Sequence, residues 1–565
     1  MKTYSKVAIA CLCMMVHTVA LCGAKAPKWL KKARQAQVPV IVFDQAGSPR
    51  EAQGVVMGDS GVVVTEYDVM RGGVRAEVVN AGGETFAVHR ILGASSMYNV
   101  CKLQLAQWGK MKGLEAAATP VQPQAEVYIL PTSKADKNVP CTTDTVAKDE
   151  QFRQQYHYYT LTSAAPPRLA GCPVMNANGE VVGLLQMAVQ EGKPSYVMDA
   201  SFPLSLSVQA IDAGNDDLQA LPIPKALPKT ATDAASYIYL AGTRDSVRYR
   251  QLTDDFIQAF PDSATGYVMQ AEWLAGLGQY GQAQAVYDCG FEKAASRADE
   301  LHYSLSNMMY AACTTAASLP HEPWTMEQAL AQAEAAFAKR PLSIYTKRKA
   351  DCLYALKRYA EAQDAYLSLT RTNLRSPELF MYASLCLQRQ EGSPADSIVA
   401  LQDSALAFYA QPYPREAAPV ILMRAASLQA AGRKREAVAD YNTYEHLNGG
   451  NMTAAFYYTR EQLEVECRMY PAALNDIERA VRLSPDDAVL RAEQAALNYR
   501  VGQVEEAVMA AKEAIRIDPA MPDAYRILGV CLRQQGKKAE ARAQLQKAVE
   551  LGDTLAGDIL NKEEE

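Results

Sequence analysis

Cysteine is the residue type here best suited to covalent or metal chemistry, and the 565-residue sequence holds 12 of them. Cys11, Cys13 and Cys22 lie in or at the edge of an apolar leader. The other nine stand singly at Cys101, Cys141, Cys172, Cys289, Cys313, Cys352, Cys386, Cys467 and Cys531. Zinc and redox centres need ligands at short spacing, and the sequence has neither a CxxC pair nor a histidine at ligand distance. No metal is expected, and most of these thiols read as small buried apolar residues. Between residues 37 and 214 the imidazoles are His89 and His157, both in strand-like runs. Ser163, in "TLTSAAPPR", has no partner pattern and reads as a strand-end hydroxyl. No glycine-rich phosphate loop follows a strand, so no nucleotide or other cofactor is expected.

Bulk composition narrows the class further. Fifty-seven basic against 63 acidic side chains leave a formal charge of −6, which offers no general attraction to nucleic acid. With 49% apolar and 21% charged residues the chain folds, and its length implies several domains.

The elements that would position any chemistry differ along the chain. Lys2 and Lys6 precede an uncharged apolar run from Val7 to Leu21, and Cys22, Gly23 and Ala24 follow. That layout predicts a cleaved signal peptide over residues 1–24 and an exported protein. Lipidation of Cys22 is an open alternative, although Leu21 stands where lipoprotein signals carry Gly, Ala or Ser. Residues 25–36, with Lys25, Lys28, Lys31, Lys32 and Arg34, read as a solvated basic leader. From 37 to 214, β-branched runs alternate with turns such as Asn80-Ala81-Gly82-Gly83 and Asn176-Ala177-Asn178-Gly179, which predict strands and hairpins. Residues 215–233 include "LPIPKALPKTATD" and read as a stiff linker. Residues 553–565, ending "NKEEE", read as an acidic tail. No later segment is long and apolar enough to predict a transmembrane helix.

Residues 234–552 are Ala-rich with helical periodicity. A small residue recurs in a second helix at Ala283, Ala329, Ala362, Ser397, Ala437, Ala473, Ala507 and Ala541, at intervals of 46, 33, 35, 40, 36, 34 and 34. Pro341, Pro485 and Pro519 each fall 12 residues after one of these. In the last unit Gly529 and Ala541 are small because two helices cross there, with Tyr525 and Leu545 beside the crossing. The 34-residue period is the tetratricopeptide signature, and the region resembles an all-α tetratricopeptide-repeat solenoid.

The run "GVVMGDSGVVVTEYDVM" resembles the opening strands of a trypsin-like serine protease of the HtrA type. Its segment Thr65-Glu66-Tyr67-Asp68-Val69 matches the family's T-N-x-H-V, which puts Asp68 at the histidine position. "NVCKLQL" puts Asn99 at the orienting aspartate. "RLAGCPVMNANGEVVGLL" matches the nucleophile turn and its hairpin, with Ala170 at the serine. The resemblance implies a double β-barrel with all three triad positions changed, and therefore no catalytic residues. Ala170 offers no nucleophilic atom, and a carboxylate near pKa 3.9 is a poor base toward a hydroxyl. Leu169 and Cys172 also replace residues of the turn that forms the oxyanion hole.

The sequence thus implies a multidomain β plus α protein: a degenerate trypsin-like double barrel, then the solenoid. Its expected role is binding peptides or partner proteins in the solenoid groove, in the periplasm or cell envelope or after secretion. The alternative is an active peptidase that uses Cys172 as a displaced nucleophile, with the repeats recruiting substrate. A carboxylate clamp of the chaperone type is not expected. Its asparagine follows the small first-helix residue, where Glu272, Asp351, Ala426, Gln462, Ala496 and Val530 stand.

Overall fold

A computed structural model describes residues 27–131, 141–186, 192–242, 246–315 and 323–561. The signal-peptide reading, Cys22 and the last four residues of the tail lie outside the described residues. The chain divides into two compact units, Met1–Gln270 and Ala271–Glu565.

The first unit contains two closed antiparallel barrels. One is built from β1 (Gln37–Phe43), β2 (Pro49–Met57), β3 (Val62–Thr65), β4 (Arg75–Val79), β5 (Thr85–Ser95) and β6 (Val100–Leu105), in the order β1-β2-β3-β6-β5-β4. The other uses β7 (Glu126–Ile129), β8 (Thr142–Phe152), β9 (Tyr156–Leu161), β10 (Pro173–Met175), β11 (Val181–Gln186) and β12 (Tyr196–Asp199), in the order β10-β11-β12-β9-β8-β7. Alternation directs the side chains: Val38, Val40 and Val42 of β1 are fully buried in the first core. The hairpin turns form as the sequence implies. Asn176 Oδ1 accepts from the N–H groups of Asn178 and Glu180, and Gly179 takes φ +80°.

Short helices α1 (Leu30–Ala36), α2 (Tyr67–Met70), α3 (Ser201–Ser205) and α4 (Asp216–Gln219) accompany the barrels, followed by α5 (Ala231–Gly242) and α6 (Ser246–Ala259). The described part of the basic leader is not simply solvated. Ala33 and Ala36 of α1 are fully buried, while Lys28, Lys31 and Lys32 face outward. Trp29 Nε1 donates to the Ala177 carbonyl at 2.9 Å, and its ring meets Tyr128 edge-on at 5.6 Å. The lysines conceal an amphipathic turn of helix.

The proline-rich segment is also built into this unit rather than hanging between domains. Leu221 and Ile223 are buried in the first core. Ile91 N–H donates to the Pro224 carbonyl, and Ala226 N–H donates to the Ile91 carbonyl, both at 2.8 Å. Proline lacks an N–H but keeps an accepting carbonyl, and the residue after next supplies the donor. Helix α5 buries Ala234, Tyr237 and Ile238 in the same core, and Asp255 of α6 receives both guanidinium arms of Arg90 at 2.5 and 2.9 Å. The compact unit therefore extends past residue 233.

Helix α7 (Ala264–Gly276) spans the dividing point. The second unit then runs through α8 (Tyr280–Lys293), α9 (Ala298–Thr315), α10 (Met326–Lys339), α11 (Ser343–Ala355), α12 (Tyr359–Leu369), α13 (Pro377–Gln388), α14 (Ala395–Leu406), α15 (Ala418–Ala430) and α16 (Lys434–Leu447). It continues through α17 (Ala454–Glu466), α18 (Tyr470–Leu483), α19 (Ala488–Arg500), α20 (Val504–Ile517), α21 (Pro522–Gln534), α22 (Lys538–Glu550) and α23 (Thr554–Asn561). The α21/α22 crossing falls where the small residues place it: a Cβ on Gly529 would lie 2.7 Å from Leu545 Cγ and 3.1 Å from the Ala541 carbonyl. Two readings change. Ser397 is exposed, and Ile398 and Val399 face inward instead, because the enlarged loop before α14 shifts the helix register. Residues 554–561, read as part of a tail, form α23, which buries Ala556 against Leu545 and Ala548.

Candidate functional site

Asp68, Asn99 and Ala170, the positions that the family resemblance aligns with a triad, stand at the opening of α2, the turn before β6 and the turn before β10. Glu66 precedes α2 in extended conformation, anchored by Thr65, whose hydroxyl donates to the Gln53 carbonyl at 2.7 Å. Asp68 follows on α2 and is exposed. Asn99 sits in the left-handed region, φ +47°, at the end of a turn closed by its N–H to the Ser96 carbonyl. That backbone aims its side chain back at α2. Asn99 Oδ1 accepts from the Asp68 N–H at 2.9 Å, and Asn99 Nδ2 donates to Glu66 Oε1 at 3.3 Å. Asn99 therefore grips the α2 backbone and a neighbouring carboxylate.

Ala170 ends a 3-10 turn, Pro167–Leu169, and its N–H donates to the Pro167 carbonyl at 3.1 Å. The next two N–H groups are used as well: Gly171 donates to Leu185 at 2.9 Å and Cys172 to Leu169 at 3.1 Å. An acyl-transfer site needs turn N–H groups directed at the developing oxyanion, and here those of 170, 171 and 172 bond within the fold.

Glu66, not singled out from the sequence, completes the arrangement. A Cβ built on Gly171 would lie 2.9 Å from Glu66 Cγ and 3.0 Å from Oε2, so the glutamate lies directly against the turn. Burial raises the Glu66 pKa, the nearby Asp68 carboxylate raises it further, and the Asn99 amide partly opposes both. The one sequence signal for Glu66 was its place between two residues that bury inward, Thr65 and Tyr67.

Cys172 is fully buried among Val127, Ile129, Leu161, Leu169, Val174 and Leu185. His157 Nδ1 is 2.8 Å from Asp149 Oδ1, with its ring stacked on Tyr159, and His89 Nε2 accepts from Arg90 Nε at 3.1 Å. Each imidazole is thus engaged by a neighbour. Among the described residues no group of three or more His, Cys, Asp or Glu is arranged to hold a metal ion.

In the second unit one repeat does carry an asparagine after the small first-helix residue. Ser306 of α9 is fully buried and donates to the carbonyl of Ala329 at 2.6 Å, which makes it the crossing residue of that helix pair. Asn307 follows it, so the missing asparagine is present in this repeat. The spacing of the other repeats does not point to it, because Ser306 and Ala329 are 23 residues apart, against 12 between Gly529 and Ala541. In the next repeat Asp351 occupies that position and accepts from the Tyr366 hydroxyl at 2.8 Å. The cations of α11 are paired: Lys347 lies 3.1 Å and Arg348 3.7 Å from Asp351, and Lys349 lies 2.9 Å from Glu334.

A family model of the trypsin-like peptidase domain matches residues 52–184, and one of the tetratricopeptide repeat matches residues 522–551. The small glutamine-rich tetratricopeptide repeat-containing protein 2 of Mycosarcoma maydis is 35% identical over 108 residues, which is 18% of this chain and 30% of that protein. The chain thus matches less than a third of that relative's length. Among solved structures, YrrB, a TPR protein with an unusual peptide-binding site, is 19% identical over 35% of this chain and 99% of its own, with a TM-score of 0.30. The active form of the Rv3671c protease from M. tuberculosis is 16% identical over 36% of this chain and 87% of its own, with a TM-score of 0.27. The barrel match covers the strands around Asp68, Asn99 and Ala170, and the repeat match covers the Gly529 crossing: the chain carries a trypsin-like peptidase domain fused to tetratricopeptide repeats.

Proposed function

We propose that this chain is an exported binding or scaffold protein, a pseudoprotease whose barrels no longer cleave and whose repeats take peptides or partner proteins. One observation carries the reading. At the position of the nucleophile stands Ala170, with its N–H bonded to Pro167 and Glu66 lying against the following glycine. A missing nucleophile ends acyl transfer, and an engaged donor weakens what would stabilise its transition state. The burial of Cys172 speaks against its use as a substitute. Repeat arrays present extended surfaces built from successive helix pairs, which suit the binding role. The basic, apolar leader supports export.

The test is to incubate the full chain with an unbiased peptide library and read both retention and peptide length by mass spectrometry. Retained peptides of unchanged length are expected. Trimmed peptides, with trimming lost in Cys172→Ala, would establish the active-peptidase alternative, and failure to retain any peptide would remove the binding role.

A further inference from the structure

Helix α17 departs from its neighbours at one position. Where first helices carry Ala350, Ala425, Ala495 and Gly529, twelve residues before the small residue of the second helix, α17 carries Glu461. The side chain is fully buried. Its Oε2 accepts from Gln462 at 2.7 Å, and its Oε1 has no hydrogen-bond partner among the described residues. One turn on, Glu464 is 3% exposed and its Oε2 is likewise unpartnered.

The surrounding groups supply little positive charge. On α17 itself, Arg460 is already committed to Asp476 of α18 through 2.6 and 2.8 Å bonds, to Glu445 of α16 at 2.8 Å and to Asn442 of α16 at 2.8 Å. Arg479 of α18 also pairs with Glu445, at 2.6 Å. The groups that act electrostatically on Glu461 are Glu493 of α19, Glu464 and Asp476, all carboxylates. Those acting on Glu464 are Asp476, Glu445 and Arg460. Tyr458 also lies in the field of Glu461 and Glu493, while Glu493 faces Asp523, Arg500 and Arg526. Two arginines thus bond Asp476 and Glu445, leaving Glu461 with only carboxylates acting on it and Glu464 with no more than a share of Arg460's field.

We infer that the α17/α18 repeat is an acid-favoured element: Glu461 and Glu464 sit in the folded array as neutral carboxylic acids, and their ionisation loosens the repeat against α16 and α19. A neutral carboxyl can be buried with an incomplete set of hydrogen bonds at modest cost, whereas an unpaired buried carboxylate cannot. Burial, with the neighbouring carboxylates, pushes both groups up to about 7. An unfolded glutamate titrates near 4.3, so between roughly pH 4 and pH 7 the folded repeat holds protons that the unfolded chain has released. Stability conferred by this repeat is therefore greatest at the acid end and falls as pH rises through the window, the reverse of a salt-bridged carboxylate. The inference concerns packing inside the array and holds whether or not the repeats bind peptides.

Hydrogen exchange of the full chain at pH 5.5 and pH 8, corrected for intrinsic exchange, tests it, with α21 and α22 as the internal reference. Protection of α17 to α19 should fall by about ten- to a hundredfold more than the reference between the two pH values. The Glu461→Gln/Glu464→Gln variant should abolish that excess. Glu461→Ala, which restores the residue used in neighbouring repeats, keeps the test open if the double variant misfolds, and should raise protection at pH 8 while reducing the slope. A parental slope equal to that of α21 and α22, or a slope unchanged in Glu461→Ala, would overturn the proposal.

Discussion

The barrel unit and the repeat unit hold their backbones together over different distances in the chain. In the barrels β1 pairs with β4 as well as β2, β3 pairs with β6, and β12 pairs with β9, so closure of each barrel depends on pairings between strands that are not sequence neighbours. In the repeats the contact that matters is a crossing between consecutive helices, such as Gly529 with Ala541 and Leu545. A barrel closes as a whole, whereas a solenoid is a sum of neighbour contacts. A defect in one should spread and in the other should stay put.

The largest expected effect tests spreading. Gly183 of β11 pairs across the sheet with Asp199, and a Cβ there would lie 1.9 Å from the Met198 carbonyl oxygen. No side-chain motion relieves a clash with backbone, so Gly183→Ala must part β11 from β12, at a cost of about 3 kcal/mol or more. Hydrogen exchange should show both barrels losing protection together while α15 to α22 keep theirs. Loss confined to β11 and β12 would break the comparison.

The smaller defect tests confinement. Ala541→Leu places about three extra heavy atoms at the α21/α22 crossing and should cost roughly 1 to 3 kcal/mol by overpacking. Protection should fall in α21 to α23 and be unchanged in the barrels, and a barrel that loosens equally would show that the two units are not separable energetically.

The same difference in range decided what could be read from the sequence. Local rules are legible: Asn176 to Gly179 form the expected turn, and the 34-residue spacing places the Gly529 crossing where the helices meet. The positions of Asp68 and Asn99 followed from matching motifs, and the structure joins them through the Asn99 side chain. What escaped depended on partners far along the chain. Glu66 becomes significant only when Gly171 is brought against it, and Leu221 and Ile223 join the core beside a segment, Pro224 to Ala226, that is held by backbone bonds to Ile91 of β5. Ser306 and Asn307 were hidden by an insertion inside one helix pair, which moved the crossing residues apart without abolishing the crossing.

The smallest expected effect is none at all, and it asks whether the turn at Ala170 could support acyl transfer if the family's residue types stood around it. Asp68→His, Asn99→Asp and Ala170→Ser together restore the residue types that the family resemblance assigns to base, orienting acid and nucleophile. Three features would remain against them. The N–H of residue 170 is bonded to the Pro167 carbonyl, and proline at 166 and 167 removes two other donors from the approach to the turn. Glu66 lies against Gly171, where its carboxyl would oppose any negative charge developing nearby. Position 99 is held by a left-handed backbone and by hydrogen bonds that an aspartate would keep only in part, since it lacks the donor now given to Glu66. Loss of a single oxyanion donor removes about 10² to 10³ in kcat, so a restored triad on this turn should show no hydrolysis of unfolded casein and no labelling by a serine-directed probe. Adding Glu66→Ala sharpens the result. If turnover appears only then, the carboxylate was the obstacle and the turn is still able to rearrange; if the triple variant is active without it, the barrels have kept their catalytic backbone, and side-chain loss alone separates them from a working protease.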